Sequence, residues 1–461
     1  MQQRRDRTYV TTSARPSPSE PREYQFPRFS RYALANGLRV IIAPVRKLPV
    51  VTVLAVVDAG ASVDPRGREG LGQLAAEMLR EGTERHSGLE LLEGFEGLGS
   101  SLEAGADWDT TIVSMTLLRE HLGTGLPLLA EVLMNPSFPV HELERLKAER
   151  LAERLQILSE PRGLADESFA RLLYAPDSRY AEPIGGTSES ITASTRADMV
   201  EFFKMRYTPD SVTVIIAGEI DTDEGLERVT ETLGEWKGKR VVGVAPGGGG
   251  SRETRTLEIV AKADAAQSEL RLGHLGIPRS HPDYFNVVVM NALLGGLFSS
   301  RINLNLRERH GYTYGASSHY DWRREPGPFL ISTAVQSEVS ADAMREILGE
   351  IDGMRSREVP SDELSLATSY LEGVFPIRYE TTSAIASALA NIVIFGLPED
   401  FYDTYRDRIH AVSPADVLAA ARSHVHPEKL QAVVVGDPTV IRAPLEKLEF
   451  GPLSVRSPAE A

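Results

Sequence analysis

Residues that could bind a transition metal are scarce in this sequence and lack the spacing of a metal site. The chain has no cysteine, which excludes disulfides, thiol catalysis and thiolate-bound zinc. Ten histidines are present, but no pair has helical ligand spacing with an acid nearby. His424 and His426 stand two apart and would face the same way on a strand, although a solvated segment before Pro427 is the favoured interpretation. The sequence therefore predicts no metal ion in this chain.

A second segment with reactive side chains is NLRERHGYTYGA, residues 305–316. Its pattern predicts a helix that ends at Gly311, because glycine is a common C-terminal cap and the preceding cations suit the negative helix end. Arg307 then lies in the last turns of the helix, and Tyr314 lies on the first residues of the strand that follows. Taken alone, the segment favours a structural role, with Arg307 as a solvated cap residue and Tyr314 as a core-facing aromatic.

The segment GLGQLAAEMLREGT, residues 70–83, predicts an amphipathic helix at 70–80 followed by a glycine. Its apolar side chains suffice to pack the helix against a core, and they are Leu71, Leu74, Ala75, Met78 and Leu79. The same reasoning predicts a hairpin at Asn36-Gly37, helices at 89–98, 121–134, 140–158 and about 163–173, and a buried strand within 210–220. This mixture of elements indicates an α+β fold.

Length and charge narrow the class of protein. A chain of 461 residues needs two or more domains, and its net charge of −15 disfavours nucleic acid or an anionic membrane as the main partner. No run of about 18 apolar residues occurs, so membrane insertion is not expected. Because the first residues are basic without an apolar h-region, we expect a disordered tail at 1–24 and a cytoplasmic protein, or a periplasmic one if a signal peptide has been removed.

The two halves of the chain carry the same pattern near their ends. A helix, then proline and an acid, then an apolar strand ending in glycine occurs from Ser194 and again from Ser413. The matched residues are Asp198 with Asp416, Pro209 with Pro427 and Gly218 with Gly436, each pair 218 residues apart. The constant offset favours a duplication. We therefore expect homologous domains at 25–236 and 255–452, joined by a glycine-rich linker at 237–254.

These features together resemble a subunit of the insulinase/pitrilysin-like zinc peptidases, in the bacterial branch that is similar to mitochondrial processing peptidase. The resemblance covers about 30 to 450 and is carried by the duplication and by LANGLRVIIAP, GLGQLAAEMLREGT, YTPDSVTVIIAGEI and GGLFSSRINLNLRERHGYTYGASS. It implies two homologous α/β-roll domains, ferredoxin-like and duplicated, that form half of a clamshell.

In active members of this family, the helix that matches 70–83 carries His-x-x-Glu-His, and a glutamate on a later helix completes the zinc site. Here the two histidine positions are Gln73 and Glu77, the position of the catalytic base is Ala76, and the third ligand falls on Glu153. Alanine cannot accept a proton, and two carboxylates without imidazole suit a hard cation only weakly. The resemblance therefore implies a degenerate site without zinc, and leaves open a weak cation site at Glu77 and Glu153.

The family also places an arginine and a tyrosine seven residues apart across the cavity from the zinc, where they engage bound substrate. Arg307 and Tyr314 match both positions. A guanidinium can hold a carbonyl or carboxylate through two hydrogen bonds, and a phenol can donate to a developing oxyanion. Glu103-Ala104-Gly105 departs from the Asn-Ala-Tyr that active subunits carry on their substrate-facing strand, which weakens the expectation that the first half grips substrate alone.

The resemblance implies a non-catalytic subunit of a heterodimeric zinc metallopeptidase. Its partner would be a homologous subunit with His-x-x-Glu-His, zinc would be bound by that partner and no cofactor by this chain, and Arg307 and Tyr314 would act in trans on a peptide or unfolded polypeptide. The alternative is an inactive scaffold or peptide-binding protein, like the core subunits of respiratory complexes. An independent peptidase with another metal site is a weaker alternative, because the sequence lacks a suitable set of metal ligands. The physiological substrate and the partner's identity do not follow from the sequence.

Overall fold

The computed structural model describes residues 23–240, 252–263 and 265–458. The expected tail at 1–24 therefore lies outside the described residues except at its last two positions. Of the expected linker at 237–254, residues 241–251 lie outside them as well.

The first half of the described chain forms a mixed sheet. Its strands are β1 (Ser30–Ala33), β2 (Arg39–Pro44), β3 (Val50–Val57), β4 (Glu103–Ala106), β5 (Thr111–Leu118) and β6 (Val212–Gly218), in the spatial order β1-β2-β6-β3-β5-β4. β2 runs parallel to β6, and the other pairs are antiparallel. The predicted hairpin at Asn36-Gly37 joins β1 to β2, and Gly37 takes the left-handed φ of 91° that this turn needs.

The second half repeats this arrangement. Its strands are β7 (Thr256–Ala261), β8 (Gln267–Leu275), β9 (Ala316–Tyr320), β10 (Pro328–Gln336), β11 (Gln431–Gly436) and β12 (Leu453–Arg456), in the order β12-β7-β11-β8-β10-β9. β7 is parallel to β11, as β2 is to β6. Among the described strands, the two sheets differ only in the direction of one outer strand. β1 is antiparallel to β2, whereas β12 is parallel to β7.

Helices pack against both sheets. In the first half they are α1 (Leu71–Met78), α2 (Gly88–Glu96), α3 (Leu122–Met134), α4 (Val140–Ser159), α5 (Pro161–Leu173), α6 (Ser188–Ala193), α7 (Arg196–Arg206) and α8 (Thr222–Leu233). In the second half they are α9 (Tyr284–Asn291), α10 (Arg301–Asn303), α11 (Ser340–Ser356), α12 (Ser361–Arg378), α13 (Thr382–Phe395), α14 (Tyr405–His410), α15 (Pro414–His424) and α16 (Pro438–Lys447).

The matched residues of the two halves have the same local roles, which confirms the duplicated fold. Asp198 and Asp416 are the third helical residues of α7 and α15, and each closes a capping box with a hydroxyl residue at the N-cap. Pro209 and Pro427 each begin a single 3₁₀ turn before the next strand, and Gly218 ends β6 as Gly436 ends β11.

Each sheet is covered on one face by a helix from the other half of the chain. α5 packs on β8 and β11 through a cluster that includes Phe169 and Leu172 against Val433 and Val435. In return, α13 packs on β3 and β6. The sheets are therefore buried on both faces, which explains why the central strands, such as VVTVLAVV in β3, are almost continuously apolar rather than alternating.

One helical stretch, Tyr284–Arg309, has the length and composition of a membrane span, and 56% of its apolar window is buried inside the fold. The backbone leaves the helix within this stretch, because Leu297 and Ser300 are extended at ψ values of 159° and 158°. The uninterrupted part before this break is about 20 Å long, too short for a hydrocarbon layer of about 30 Å. It therefore forms part of the core of the second half.

Candidate functional site

α1 is anchored at its start and buried along its apolar face. The carboxylate of Asp64 accepts hydrogen bonds from the backbone N–H groups of Gly70 and Gly72 at 2.7 Å and pairs with Arg179 at 2.9 Å. Gly70 has a φ of 91°, and a Cβ there would lie 2.2 Å from the carbonyl oxygen of Gly185, so only glycine fits. The five apolar residues that the sequence assigns to the core are all buried, as predicted.

The polar positions of α1 do not form a metal site. Gln73 donates from Nε2 to the carbonyl oxygen of Ala106 at 3.2 Å, while its Oε1 is buried without a hydrogen-bond partner in the described part of the chain. Ala76 is fully buried and offers only a methyl group. The carboxylate of Glu77 is held at both oxygens by the guanidinium of Arg150, with Nε 3.1 Å from Oε2 and a second, shorter contact from Nη2 to Oε1.

Arg150 also faces the position of the third ligand. It lies on α4, and its Nη1 is 3.7 Å from Oε2 of Glu153. The guanidinium therefore stands between the two carboxylates that the sequence left open as a weak cation site. A divalent ion does not fit these residues, because the resident cation already neutralises Glu77 and no imidazole is present. The sequence analysis missed Arg150, although its spacing of three residues before Glu153 on one helix was a usable signal.

Arg307 lies in a π-helical turn, Leu304–Arg309, that ends as predicted at Gly311, where φ is 64°. The Gly311 N–H donates to the carbonyl oxygen of Arg307 at 3.1 Å. The guanidinium lies over the ring of Phe298, 4.7 Å from its centroid, and its Nε is 3.4 Å from a carboxylate oxygen of Glu308. Because 38% of the side chain is exposed, its remaining N–H donors are open to solvent.

The segment taken alone predicts that Tyr314 lies on the strand and faces the core, and the structure shows neither. Tyr314 precedes the strand, since β9 begins at Ala316, and it does not face the core, since the residue is 90% exposed. The backbone around it is nonetheless held: Thr313 Oγ1 accepts from the Gly315 N–H at 3.1 Å, and Thr333 Oγ1 donates to the Gly315 carbonyl at 3.1 Å. An exposed phenol on a fixed backbone is available to a second molecule.

Two adjoining cavities connect these residues. A cavity of ≈ 940 Å³ lies between α5 and the second sheet, and Tyr314 lines it together with aromatic residues such as Tyr174 and Tyr180. A cavity of ≈ 430 Å³ is lined by Gln73, Arg150 and Glu153. Trp108, Asp166 and Ala170 line both. Gln73 and Glu153 therefore line a cavity that adjoins the cavity of Tyr314, whereas Ala76, Glu77 and Arg307 lie outside the lining of either cavity.

Arg271 and Arg323, two of the arginines that line the larger cavity, are paired with carboxylates. Arg271 is 3% exposed, and burial opposes its charge, but the carboxylates of Asp166 at 2.6 Å and Glu269 at 2.8 Å outweigh this and raise its pKa. Burial raises the pKa of Tyr180 to about 12, so its hydroxyl remains protonated. The wall thus combines a protonated phenol with ion-paired arginines.

The histidines near Pro427 are not arranged as expected. His424 is the last residue of α15 rather than part of a strand, and its side chain is 11% exposed rather than solvated. His426 faces a different group, the ring of His274, at a centroid distance of 5.2 Å. The two rings therefore do not share a metal.

Comparison with known proteins agrees with the fold and the family resemblance. A model of the insulinase family, peptidase family M16, matches residues 39–177, and a model of the peptidase M16 inactive domain matches residues 193–371. The chain is 26% identical to an uncharacterised zinc protease of Mycobacterium tuberculosis over 92% of this chain and 96% of that protein. It is 24% identical to a non-peptidase homolog of Helicobacter pylori over 85% of this chain and 90% of that protein.

Solved structures give the same result. The fold matches the crystal structure of a peptidase M16 inactive domain from Pseudomonas fluorescens with a TM-score of 0.83 and 25% identity, covering 89% of this chain and 98% of that one. A protease from Helicobacter pylori shares the fold with a TM-score of 0.80 and 18% identity, covering 89% and 100%. The fold and the degenerate positions define a peptidase-like clamshell half of the inactive kind. The chain belongs to the insulinase family, peptidase family M16, as an inactive member.

Proposed function

We propose that the chain is the non-zinc-binding subunit of a heterodimeric zinc metallopeptidase. It would join a homologous subunit that carries His-x-x-Glu-His, complete the peptide-binding cavity, and supply Arg307 and Tyr314 to the partner's active site. The observation that carries the proposal is Tyr314, a phenol that is 90% exposed on a backbone held by Thr313 and Thr333. Among the exposed large hydrophobic residues of the described chain, Tyr314 is the most exposed.

Each residue has a definable role in such a site. The exposed N–H donors of Arg307 would hold a carbonyl oxygen of the bound peptide, with Phe298 and Glu308 keeping the guanidinium in place. Tyr314 would donate a hydrogen bond to the oxyanion that develops at the scissile carbonyl. The zinc of the partner supplies the activated water when bound. This chain supplies no base of its own at the degenerate site, because Ala76 has no proton acceptor.

The cavity supports a peptide as the substrate class. Its volume of ≈ 940 Å³ is that of a site for a small ligand or a short stretch of chain, and a folded protein does not fit it. The substrate is therefore expected to be a peptide or an unfolded polypeptide.

The test is a hydrolysis assay with a fluorogenic peptide, using this chain, the partner and their mixture, with zinc analysis of each. We expect hydrolysis by the mixture, and a fall in kcat of about 100- to 1000-fold in Tyr314→Phe, as for loss of one oxyanion donor. Arg307→Ala is expected to lower kcat/KM by a similar factor. Arg309→Ala and Tyr312→Phe, in the same segment, are the matched controls and should leave the rate near that of the unmodified mixture.

Two outcomes would contradict the proposal. Zinc binding and hydrolysis by this chain alone would show an independent peptidase. A mixture whose activity is unchanged by both Arg307→Ala and Tyr314→Phe would leave this chain only the role of an inactive scaffold.

A further inference from the structure

A group of metal-binding side chains lies outside the cavities described above. His281 and Asp283 precede and begin α9, and His424 ends α15. One potential ligand atom from each of the three lies within 4.8 Å of the other two. None of them lines the cavity of Tyr314 or that of Arg150. The cluster is therefore independent of the proposed function.

Asp283 does not act as an ordinary N-cap residue. It occupies the N-cap position of α9, where an aspartate usually accepts a hydrogen bond from a backbone N–H of the first turn, but its side chain makes no such bond. Its carboxylate instead lies 2.8 Å from Nε2 of His424. The position of His424 is fixed in turn, because its carbonyl oxygen accepts a hydrogen bond from the buried Tyr320 hydroxyl at 3.2 Å.

His281 completes the cluster without taking part in that pair. Its ring meets the ring of His424 edge-on, with centroids 5.0 Å apart and planes at 79°. Its Nδ1 accepts a hydrogen bond from the backbone N–H of Asp283 at 3.1 Å. His281 thus places a second imidazole beside the Asp283–His424 pair.

We propose that His281, Asp283 and His424 bind a divalent transition-metal ion of the zinc type. Two imidazoles and one carboxylate are ligands that zinc prefers, and three protein ligands leave a further position for water. Zinc bonds of about 2.1 Å place tetrahedral ligand atoms roughly 3.4 Å apart, so small side-chain rotations bring the three groups into range. Zinc binding would break the hydrogen bond from the Asp283 N–H to His281 Nδ1. If Nδ1 binds the metal, its lone pair no longer accepts the hydrogen bond; if Nε2 binds the metal, Nδ1 carries the ring proton.

The cluster differs from the inherited zinc position in its chemistry. At the inherited position a guanidinium holds Glu77, and the described residues there include no histidine. At the new site the ligand set contains two imidazoles and one carboxylate, and all three residues are partly accessible to solvent. An ion can therefore enter without displacing a cation.

The test is a calorimetric titration of the chelator-treated full-length chain with ZnCl₂, followed by the absorption spectrum of the Co²⁺ form. We expect about one zinc ion per chain, and a loss of affinity of more than about 10-fold in His281→Ala and in Asp283→Asn. His426→Ala, two residues from His424 but outside the cluster, and Glu77→Gln, at the inherited position, are the matched controls and should bind zinc normally. Circular dichroism verifies that each variant is folded.

His281→Ala decides the result if Asp283→Asn weakens the fold, because His281 is not part of the pair that joins the two helices. A wild-type chain that binds no zinc at equal concentration would overturn the proposal. So would zinc binding that survives His281→Ala but is lost in Glu77→Gln.

Discussion

Zinc binding at the inherited position is blocked by the replaced ligands and also by Arg150. The triple variant Gln73→His, Ala76→Glu, Glu77→His restores the motif of the active subunits and keeps Glu153 as the third ligand. In this variant the guanidinium of Arg150 remains, and its Nη1 starts 3.7 Å from the Glu153 carboxylate. We therefore expect the triple variant to bind zinc more weakly than a quadruple variant that also carries Arg150→Ala.

The difference in zinc affinity between the triple and quadruple variants can be worked out from the geometry. A unit cation about 4 Å from a divalent ion is repelled by about 8 kcal/mol at an effective dielectric constant of about 20. Arg150 does not sustain this repulsion, because its side chain is 22% exposed and can rotate towards water. Glu77 is already replaced in the triple variant, so the remaining cost is the loss of the Arg150–Glu153 ion pair, which is up to about 1 kcal/mol because Glu153 is largely exposed. This corresponds to up to roughly 5-fold in the zinc dissociation constant.

The assay is competition with a chromogenic zinc chelator, using metal-free proteins whose folding is verified by circular dichroism. The matched control adds Arg145→Ala to the triple variant, since Arg145 is also an arginine of α4 but pairs with Glu81, Glu142 and Glu149 at the surface. Equal zinc affinity in the triple and quadruple variants would refute the block by Arg150. Failure of both folded variants to bind more zinc than the unmodified chain would refute the match between residues 73–77 and the zinc motif.

Three further predictions concern buried contacts. Burial lowers the pKa of His274 from 6.5 to about 4, so the stability it contributes is present above about pH 6.5 and is lost as the pH falls towards 4, by roughly 3 kcal/mol. His274→Gln should therefore flatten the pH dependence of urea unfolding between pH 7 and 4.5, and parallel curves would contradict this. Phe169 lies on α5, the helix that crosses to the second sheet. Phe169→Ala should lower the free energy of unfolding by about 3–5 kcal/mol and speed amide exchange in β8 and β11. Faster exchange in the first half alone would contradict the shared core. Arg150→Ala and Glu77→Gln should each lower the free energy of unfolding by about 1–2 kcal/mol, and the double variant should lose little more than either. Additive losses would show that the two residues are not coupled.

Much of the local structure could be predicted from short windows of sequence. The helices at 121–134 and 140–158 occur as α3 and α4 with ends that differ by one residue, because their boundaries carry local signals. The duplication was visible because capping boxes, proline turns and strand-ending glycines depend on neighbouring residues only. The exchange of α5 and α13 between the halves was not predictable, since an apolar helix face does not specify which sheet it covers.

The candidate site was also predictable from the sequence only in part. The family resemblance predicts that Gln73, Ala76 and Glu77 stand at the ligand and base positions, and residue identity alone then decides which groups can bind zinc or accept a proton. From the segment alone the sequence predicted that Tyr314 lies on the strand and faces the core, and both were wrong, whereas the family resemblance predicted that Tyr314 engages substrate. The alternation of a strand decides which way a side chain faces only within the strand, and this residue stands before it.

By itself, the sequence determined the chemistry that this chain has lost and the elements that would carry it. Those properties depend on residue identity and on spacings of a few positions, which the polymer fixes before it folds. Only the tertiary structure decided that Arg150 fills the place of a metal, that Tyr314 faces a cavity, and that Asp283 meets His424 across 141 positions of chain. Such contacts join side chains whose distance is set by how whole helices and sheets pack, so no local pattern encodes them.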